Sequence, residues 1–155
     1  MTGPLEISNF EFLLRTAATG SCTNSIMANE AYLFVYGTLR SQMNDPLHRL
    51  LETQAILVGT GTFQGKLYDL GRYPGVVRSH GNTDRVIGEI YRFSEPQRAF
   101  QILDEYEGHR FKRKRVTIIQ EDGKSNTSWI YLYARSVTRR ALIRSGDYVQ
   151  YRNSF

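Results

Sequence analysis

AYLFVYGTLR, residues 31–40, runs apolar and aromatic from Ala31 to Tyr36 and then stops at Gly37-Thr38-Leu39-Arg40. A short continuous run of this kind predicts a buried β-strand. Burial alone does not require a glycine, a hydroxyl and a cation at the strand's end. That ending needs its own explanation.

Around this strand the signals are mostly β. In NDPLHRLL, Asp45 reads as a helix N-cap with Pro46 at the first helical position. AILVGTGTFQGKLYDL, residues 55–70, reads as one long glycine-broken strand or as two. GRYPGV is a turn punctuated by Pro and Gly, and RVIGEIYRF is another strand. SEPQRAFQILDEYEG reads as a helix, with Ser94 and Gln97 as an S-x-x-Q capping box and Gly108 as its stop. KRVTIIQ, the turn EDGK and TSWIYLYAR predict a hairpin. Within it Trp129, Tyr131 and Tyr133 alternate as one packed face of a sheet. Strands predominate and helices intervene irregularly, so the expected class is α+β with a curved or closed sheet.

Residues 1–28 stand apart. ISNFEFLLRTAA suits a short helix and TGSCTNSIMANE a linker, while Met27 offers an alternative start. The early Glu6 and Glu11 and the short apolar part argue against a signal or transit peptide. The expected organisation is an amino-terminal appendage over 1–28, its role not set by sequence, and one domain over 29–155.

The bulk properties narrow the function. At 155 residues, 41% hydrophobic and 23% charged, the chain has the composition of one soluble domain. No apolar run reaches the roughly 18–20 residues of a membrane span. The net charge of +5 and pI near 9.5 come partly from HRFKRKR at 109–115 and RSVTRRALIR at 135–144. No helix-turn-helix, zinc-finger or RNP-like pattern accompanies them. RFKRKRV also runs straight into VTII, so part of the cluster reads as the solvated face of a strand. A basic pocket for small carboxylates fits better than nucleic acid. The lone Cys22 allows no intramolecular disulfide and fits a reducing compartment, so a cytoplasmic location is expected. His48, His80 and His109 lack metal-ligand spacing with Cys22 or each other; neither metal nor cofactor is expected. GTGTFQG carries Gln64 where a dinucleotide fingerprint needs glycine, and no P-loop or G-x-S-x-G is present.

One acid is out of place. On a helical wheel Glu107 falls about 20° from Phe100 and about 40° from Leu103. Ala99, Ile102 and Tyr106 share that apolar arc, Asp104 lies at its edge, and Glu105 points away. Two readings stay open: a carboxylate lining a pocket, with its pKa raised by desolvation, or a frayed terminal turn where Glu107 meets an arginine in solvent.

With VYGTLR and LDEYEG both present, the chain resembles the γ-glutamylcyclotransferase-like family, in its AIG2-like branch. LYDLGRYPGVV, VIGEIYRF, RVTI, WIYLY and the closing SGDYVQY follow in the family's order, so the resemblance covers about residues 31–151. It implies a small mixed β-barrel edged by short helices. It also implies a reaction in which a γ-glutamyl compound cyclises to 5-oxoproline and releases an amine or amino acid. On the same resemblance, Tyr36, Gly37, Thr38 and Leu39 cradle the glutamyl group and Glu107 is the catalytic acid–base. Arg40 either pairs with the substrate α-carboxylate or is a surface residue. Tyr73, Pro74 and Gly75 wall the pocket, although a stiff turn accounts for Pro74 and Gly75 equally well.

The family's tyrosine beyond the glutamate is replaced here by Phe111-Lys112-Arg113, which bears on substrate preference. His109 reads as a surface histidine. The strand ending then makes sense: a glycine lets substrate approach the backbone, and freed N–H groups can meet an oxyanion. The rival expectation is a protein that keeps the pocket and binds without turnover. Oligomeric state is not legible.

Overall fold

The computed structural model describes residues 30–155. The appendage read over residues 1–28, with Cys22 and Met27, lies outside the described residues. Five strands close a barrel in the order β1-β5-β2-β6-β7: Ala31–Val35 (β1), Ala55–Phe63 (β2), Val86–Phe93 (β5), Phe111–Gln120 (β6) and Ser125–Tyr133 (β7). Gly65–Asp69 (β3), Pro74–Arg78 (β4) and Ala141–Leu142 (β8) form a second sheet, in the order β4-β3-β8. Helices His48–Gln54 (α1), Pro96–Glu107 (α2) and Tyr148–Asn153 (α3) edge the barrel. β1 runs antiparallel to β5 but parallel to β7, where Leu33 faces Trp129. That parallel pairing closes the barrel and makes it mixed, as the resemblance implies.

The apolar run at 31–36 now has a cause. Successive side chains of a strand point to opposite faces. Leu33 and Val35 join Leu50 and Leu51 of α1 and Phe100 and Leu103 of α2 in one core. Phe34 and Tyr36 join Ile90, Ile118 and Ile130 in a second. Both faces of β1 are covered, so no alternation is visible in its sequence.

Residues 55–70 form two strands rather than one. Val58 is an extra residue between Leu57, opposite Tyr91, and Gly59, opposite Ile90; such a bulge bends its strand. The predicted hairpin is present, with Phe111 opposite Tyr133 through Ile119 opposite Ser125. Its basic run divides. Lys112 and Lys114 are exposed, whereas Arg113 turns inward over the rings of Phe100 at 4.5 Å and Trp129 at 4.4 Å. No helix among the described residues is long and apolar enough to cross a membrane.

Three local readings need correction. The Ser94–Gln97 capping box does not form: the N-cap is Glu95, without a side-chain cap bond. Pro96 takes the first helical position, where its missing N–H costs nothing, and so starts the helix one residue later. Tyr106 is not in the core but 50% exposed, because a hydroxyl-bearing ring at a helix end is satisfied at the surface. Asp45 is not the N-cap and Pro46 is not the first helical residue: Leu47 is the N-cap, without a side-chain cap bond, and Asp45 closes a tight turn ahead of it. Its carboxylate accepts from Leu47 N–H at 2.8 Å, and α1 proper begins at His48.

Candidate active site

The end of β1 is where the two sheets and α2 meet. Tyr36 points into the barrel, and its hydroxyl donates to the Tyr131 carbonyl on β7 at 2.6 Å. The chain then reverses: the Arg40 N–H donates to the Gly37 carbonyl at 3.0 Å, closing a four-residue turn. Thr38 and Leu39 hold the central positions, whose own N–H groups take no part in the closing bond. Thr38 is the only residue of this turn that is not buried. Gly37 is required for packing. A Cβ there would stand 2.6 Å from Cγ of Pro74, so bare backbone lets the 37–40 turn lie against the start of β4.

Three buried anchors hold the turn. The His48 ring donates through Nδ1 to the Leu39 carbonyl at 2.7 Å. Arg40 is 5% exposed, and its guanidinium meets the Asp147 carboxylate at 2.7 Å. Ser41 donates its N–H to Oε1 of Glu89 at 2.9 Å and its hydroxyl to Oε2 at 2.7 Å. Glu89 is itself 3% exposed.

Arg40 is therefore not a surface residue. Its head group is committed to an internal ion pair, which any substrate carboxylate would have to break. Asp147 gains twice from its position, because the same oxygen accepts from Val149 N–H at 3.1 Å and Gln150 N–H at 3.3 Å and caps α3. Sequence reasoning missed His48, Glu89, Asp147 and α3 itself. A signal was available for the last two: SGDYVQY places an aspartate before a short aromatic-containing segment, an N-cap pattern.

Glu107 is the last residue of α2, half-buried, and followed by Gly108 at φ +68°, which only glycine adopts easily. Loss of solvent raises the Glu107 carboxyl, and the charge of Asp45 raises it further, to about 7. Glu107 acts back on its neighbours. Burial first, and then the Glu107 charge, push the Tyr36 phenol well above its ordinary value. The frayed, solvent-paired reading of Glu107 does not describe this environment.

One helical turn earlier, Asp104 behaves oppositely. Burial pushes it up, but bonds from Arg113 at 2.8 Å and the Tyr131 hydroxyl at 2.6 Å outweigh that and hold it below the usual carboxylate range.

Two open depressions include neighbours of Glu107 but not Glu107 itself. One, of about 270 Å³, is lined by Asp104, Gly108, Phe111, Arg113 and Tyr131 among others. The other, of about 320 Å³, includes Ser41, Asp45 and His48. Both are close to the small-ligand range. Tyr73 stands on the far side of the turn. Its hydroxyl accepts from Arg110 Nη1 at 2.7 Å, and its ring packs on Phe111 with centroids 5.8 Å apart. Through Pro74, Tyr73 is tied to Gly37. The structure thus couples Tyr36 to Glu107 through charge and Gly37 to Tyr73 through Pro74, and sends the Leu39 side chain and all of Arg40 into the interior.

Comparison with known proteins bears on the fold and the family. E. coli K12 YtfP, named a gamma-glutamylcyclotransferase family protein, is 35% identical over 118 residues, covering 76% of this chain and 95% of its own. A Vibrio cholerae protein provisionally named a gamma-glutamylcyclotransferase is 38% identical over 122 residues, covering 76% of this chain and 95% of its own. The solution structure of E. coli ytfP superposes with a TM-score of 0.56 at 32% identity, over 78% of this chain and 98% of that one. Bacillus subtilis YkqA superposes with a TM-score of 0.65 at 25% identity over 79% of this chain, which spans only 41% of YkqA. Residues 33–150 match the family model described as "Gamma-glutamyl cyclotransferase, AIG2-like", and the chain belongs to that family.

Proposed function

We propose that the protein is a γ-glutamyl cyclotransferase, converting a γ-glutamyl amine or a related small γ-glutamyl compound to 5-oxoproline and the free amine. The single observation that supports this most is the Glu107 carboxyl. It is raised to about 7 beside a turn with a glycine and two central N–H groups. A base poised near neutrality is what abstraction from an ammonium group requires.

In this reading Glu107 takes a proton from the substrate's α-ammonium, and the freed amine attacks its own γ-carbonyl. The attack is intramolecular and gains from proximity. A C–N bond forms, and the carbonyl oxygen becomes an oxyanion facing the N–H groups of Thr38 and Leu39. Glu107 passes its proton to the departing nitrogen, the old amide C–N bond breaks, and Glu107 then takes the second proton from the ring nitrogen. That proton leaves with the released amine as its ammonium form. Tyr36 walls the inner side and Tyr73 the outer.

The test is 5-oxoproline release from γ-glutamyl-lysine, γ-glutamyl amines and glutathione by wild type and Glu107→Gln. Turnover by wild type that is lost in the variant, with 5-oxoproline binding kept, is expected. Equal turnover in both would remove Glu107 as the base. Binding without turnover by wild type would leave a binding protein of the same fold.

A further inference from the structure

Cyclisation of a γ-glutamyl compound presents an enzyme with at least one carboxylate, and the cation nearest in sequence to the glycine turn, Arg40, is buried on Asp147. We propose that Arg110, oriented by Tyr73, is the residue that receives a substrate carboxylate; this rests on the cyclotransferase reading above. Arg110 closes the short turn Gly108–Arg110 that follows Glu107, so α2 delivers both groups to the same edge of the barrel. Its main chain is fixed, because its carbonyl accepts from Ala134 N–H at 2.7 Å. Its head is fixed as well, by the 2.7 Å bond from Nη1 to the Tyr73 hydroxyl. Tyr73 is held in turn by the Leu70 N–H on its carbonyl at 3.0 Å and by the ring of Phe111. The next residue, Pro74, touches Gly37. A chain of contacts therefore runs from the glycine turn to the guanidinium.

An exposed arginine ordinarily sweeps through solvent or pairs with a nearby acid. Arg110 does neither. It is exposed, yet held at both ends, and among the described residues its guanidinium bonds a phenol and no carboxylate. A guanidinium carries five N–H donors in a planar fork. One goes to Tyr73, leaving donors for a two-point bond to a carboxylate, the geometry for which arginine is suited and lysine is not. Because the side chain is already oriented, little entropy is lost when the anion arrives. By contrast Arg113, three residues on, already spends Nε and Nη2 in a two-point bond to Asp104.

The carboxylate has two sources, the α-carboxylate of the glutamyl half or one on the leaving group. Steady-state kinetics of wild type, Arg110→Ala, Arg110→Lys and Tyr73→Phe with γ-glutamyl-glycine and γ-glutamyl-methylamine separate them. Binding of 5-oxo-L-proline and of 2-pyrrolidinone, the same ring without its carboxylate, is followed by NMR titration. Arg110→Ala is expected to raise KM about tenfold with kcat changed less than about threefold, the size of one exposed charge-assisted contact. Arg110→Lys should recover only part of that, and Tyr73→Phe should show a smaller rise in the same direction. A loss shared by both substrates and by 5-oxo-L-proline, but not by 2-pyrrolidinone, marks the α-carboxylate. A loss confined to γ-glutamyl-glycine marks the leaving group.

Arg140, which bonds the Leu70 carbonyl at 3.3 Å on the same 70–73 turn, supplies the control for general charge. If Arg140→Ala has an equal effect, or if Arg110→Ala matches wild type with every ligand, the inference falls while the cyclotransferase reading stands. If wild type neither turns over nor binds 5-oxo-L-proline, both fall together.

Discussion

Asp104 and Glu107 lie one turn apart on the same helix and belong to different worlds. Asp104 meets Arg113 and the Tyr131 hydroxyl, and its negative charge is answered three times over. Glu107 has lost solvent and gained a second carboxylate, Asp45, instead of a cation. One helix thus carries a carboxylate held ionised by its partners and another kept partly protonated by the lack of them. The difference is the distinction between a structural acid and a proton-transfer acid. It arises from where the helix stops. Asp104 is still beside β6 and β7, while Gly108 turns the chain away just after Glu107 and leaves its carboxyl within the field of Asp45 and without a cation.

The sharpest way to break this contrast is to neutralise each acid separately and measure 5-oxoproline release. Glu107→Gln should lower kcat about 10²- to 10⁴-fold, the usual range for a general acid–base. Asp104→Asn should change it less than about tenfold. If Asp104→Asn is the more damaging, the roles are reversed.

Stability should respond in the opposite sense. The folded-state pKa of Glu107 is raised from 4.5 to about 7, so the folded protein binds more protons than the unfolded chain between those values. Stability contributed by this group therefore falls as pH rises through that window, and is lowest above it. Glu107→Gln removes the penalty and should stabilise the protein at pH 8 by up to roughly 3 kcal/mol, with little gain at pH 4. Asp104 has a lowered pKa, so its contribution is present above the ordinary carboxylate pKa and is lost as pH falls through the lowered one. Discounted for its partly exposed carboxyl, Asp104→Asn should cost about 1 kcal/mol at pH 7. Chemical denaturation at both pH values checks the pair; a destabilised Glu107→Gln at pH 8 would overturn the account.

The glycine turn on the other side of the site supplies a packing test. Gly37→Ala forces its new methyl against Pro74. It should cost about 1–3 kcal/mol by overpacking and lower kcat/KM by moving the turn off the start of β4. Unchanged activity would mean that the turn does not need this close approach.

Much of this was legible in the sequence, and what was not has a common cause. The strand at 31–35 and the 111–133 hairpin follow from local apolar pattern. Glu107 stands out on a wheel because helical periodicity is local too. The inward turn of Arg40 is not local: its counter-ion is 107 residues away. The Glu89 grip on Ser41 spans 48 residues, and nothing in either neighbourhood announces it. Closure of the barrel rests on Leu33 beside Trp129, a parallel pairing with no turn signal between them. Tyr106 was misplaced because a wheel counts its ring as apolar and ignores the hydroxyl.

The smallest effect is the most discriminating between causes. Two things raise Glu107, desolvation first and the Asp45 charge second. Activity that needs ionised Glu107 should rise with pH through about 7. Asp45→Asn removes the charge but keeps an amide oxygen that can still accept from Leu47 N–H, so the turn before α1 is kept. The acidic limb of the kcat/KM profile should move to lower pH, by less than half of the total rise, because the larger cause is untouched. A shift beyond half would make the neighbouring acid, not burial, the main tuner. An unmoved limb would mean that solvent screens Asp45 from Glu107, leaving the half-buried helix end alone to set the carboxyl.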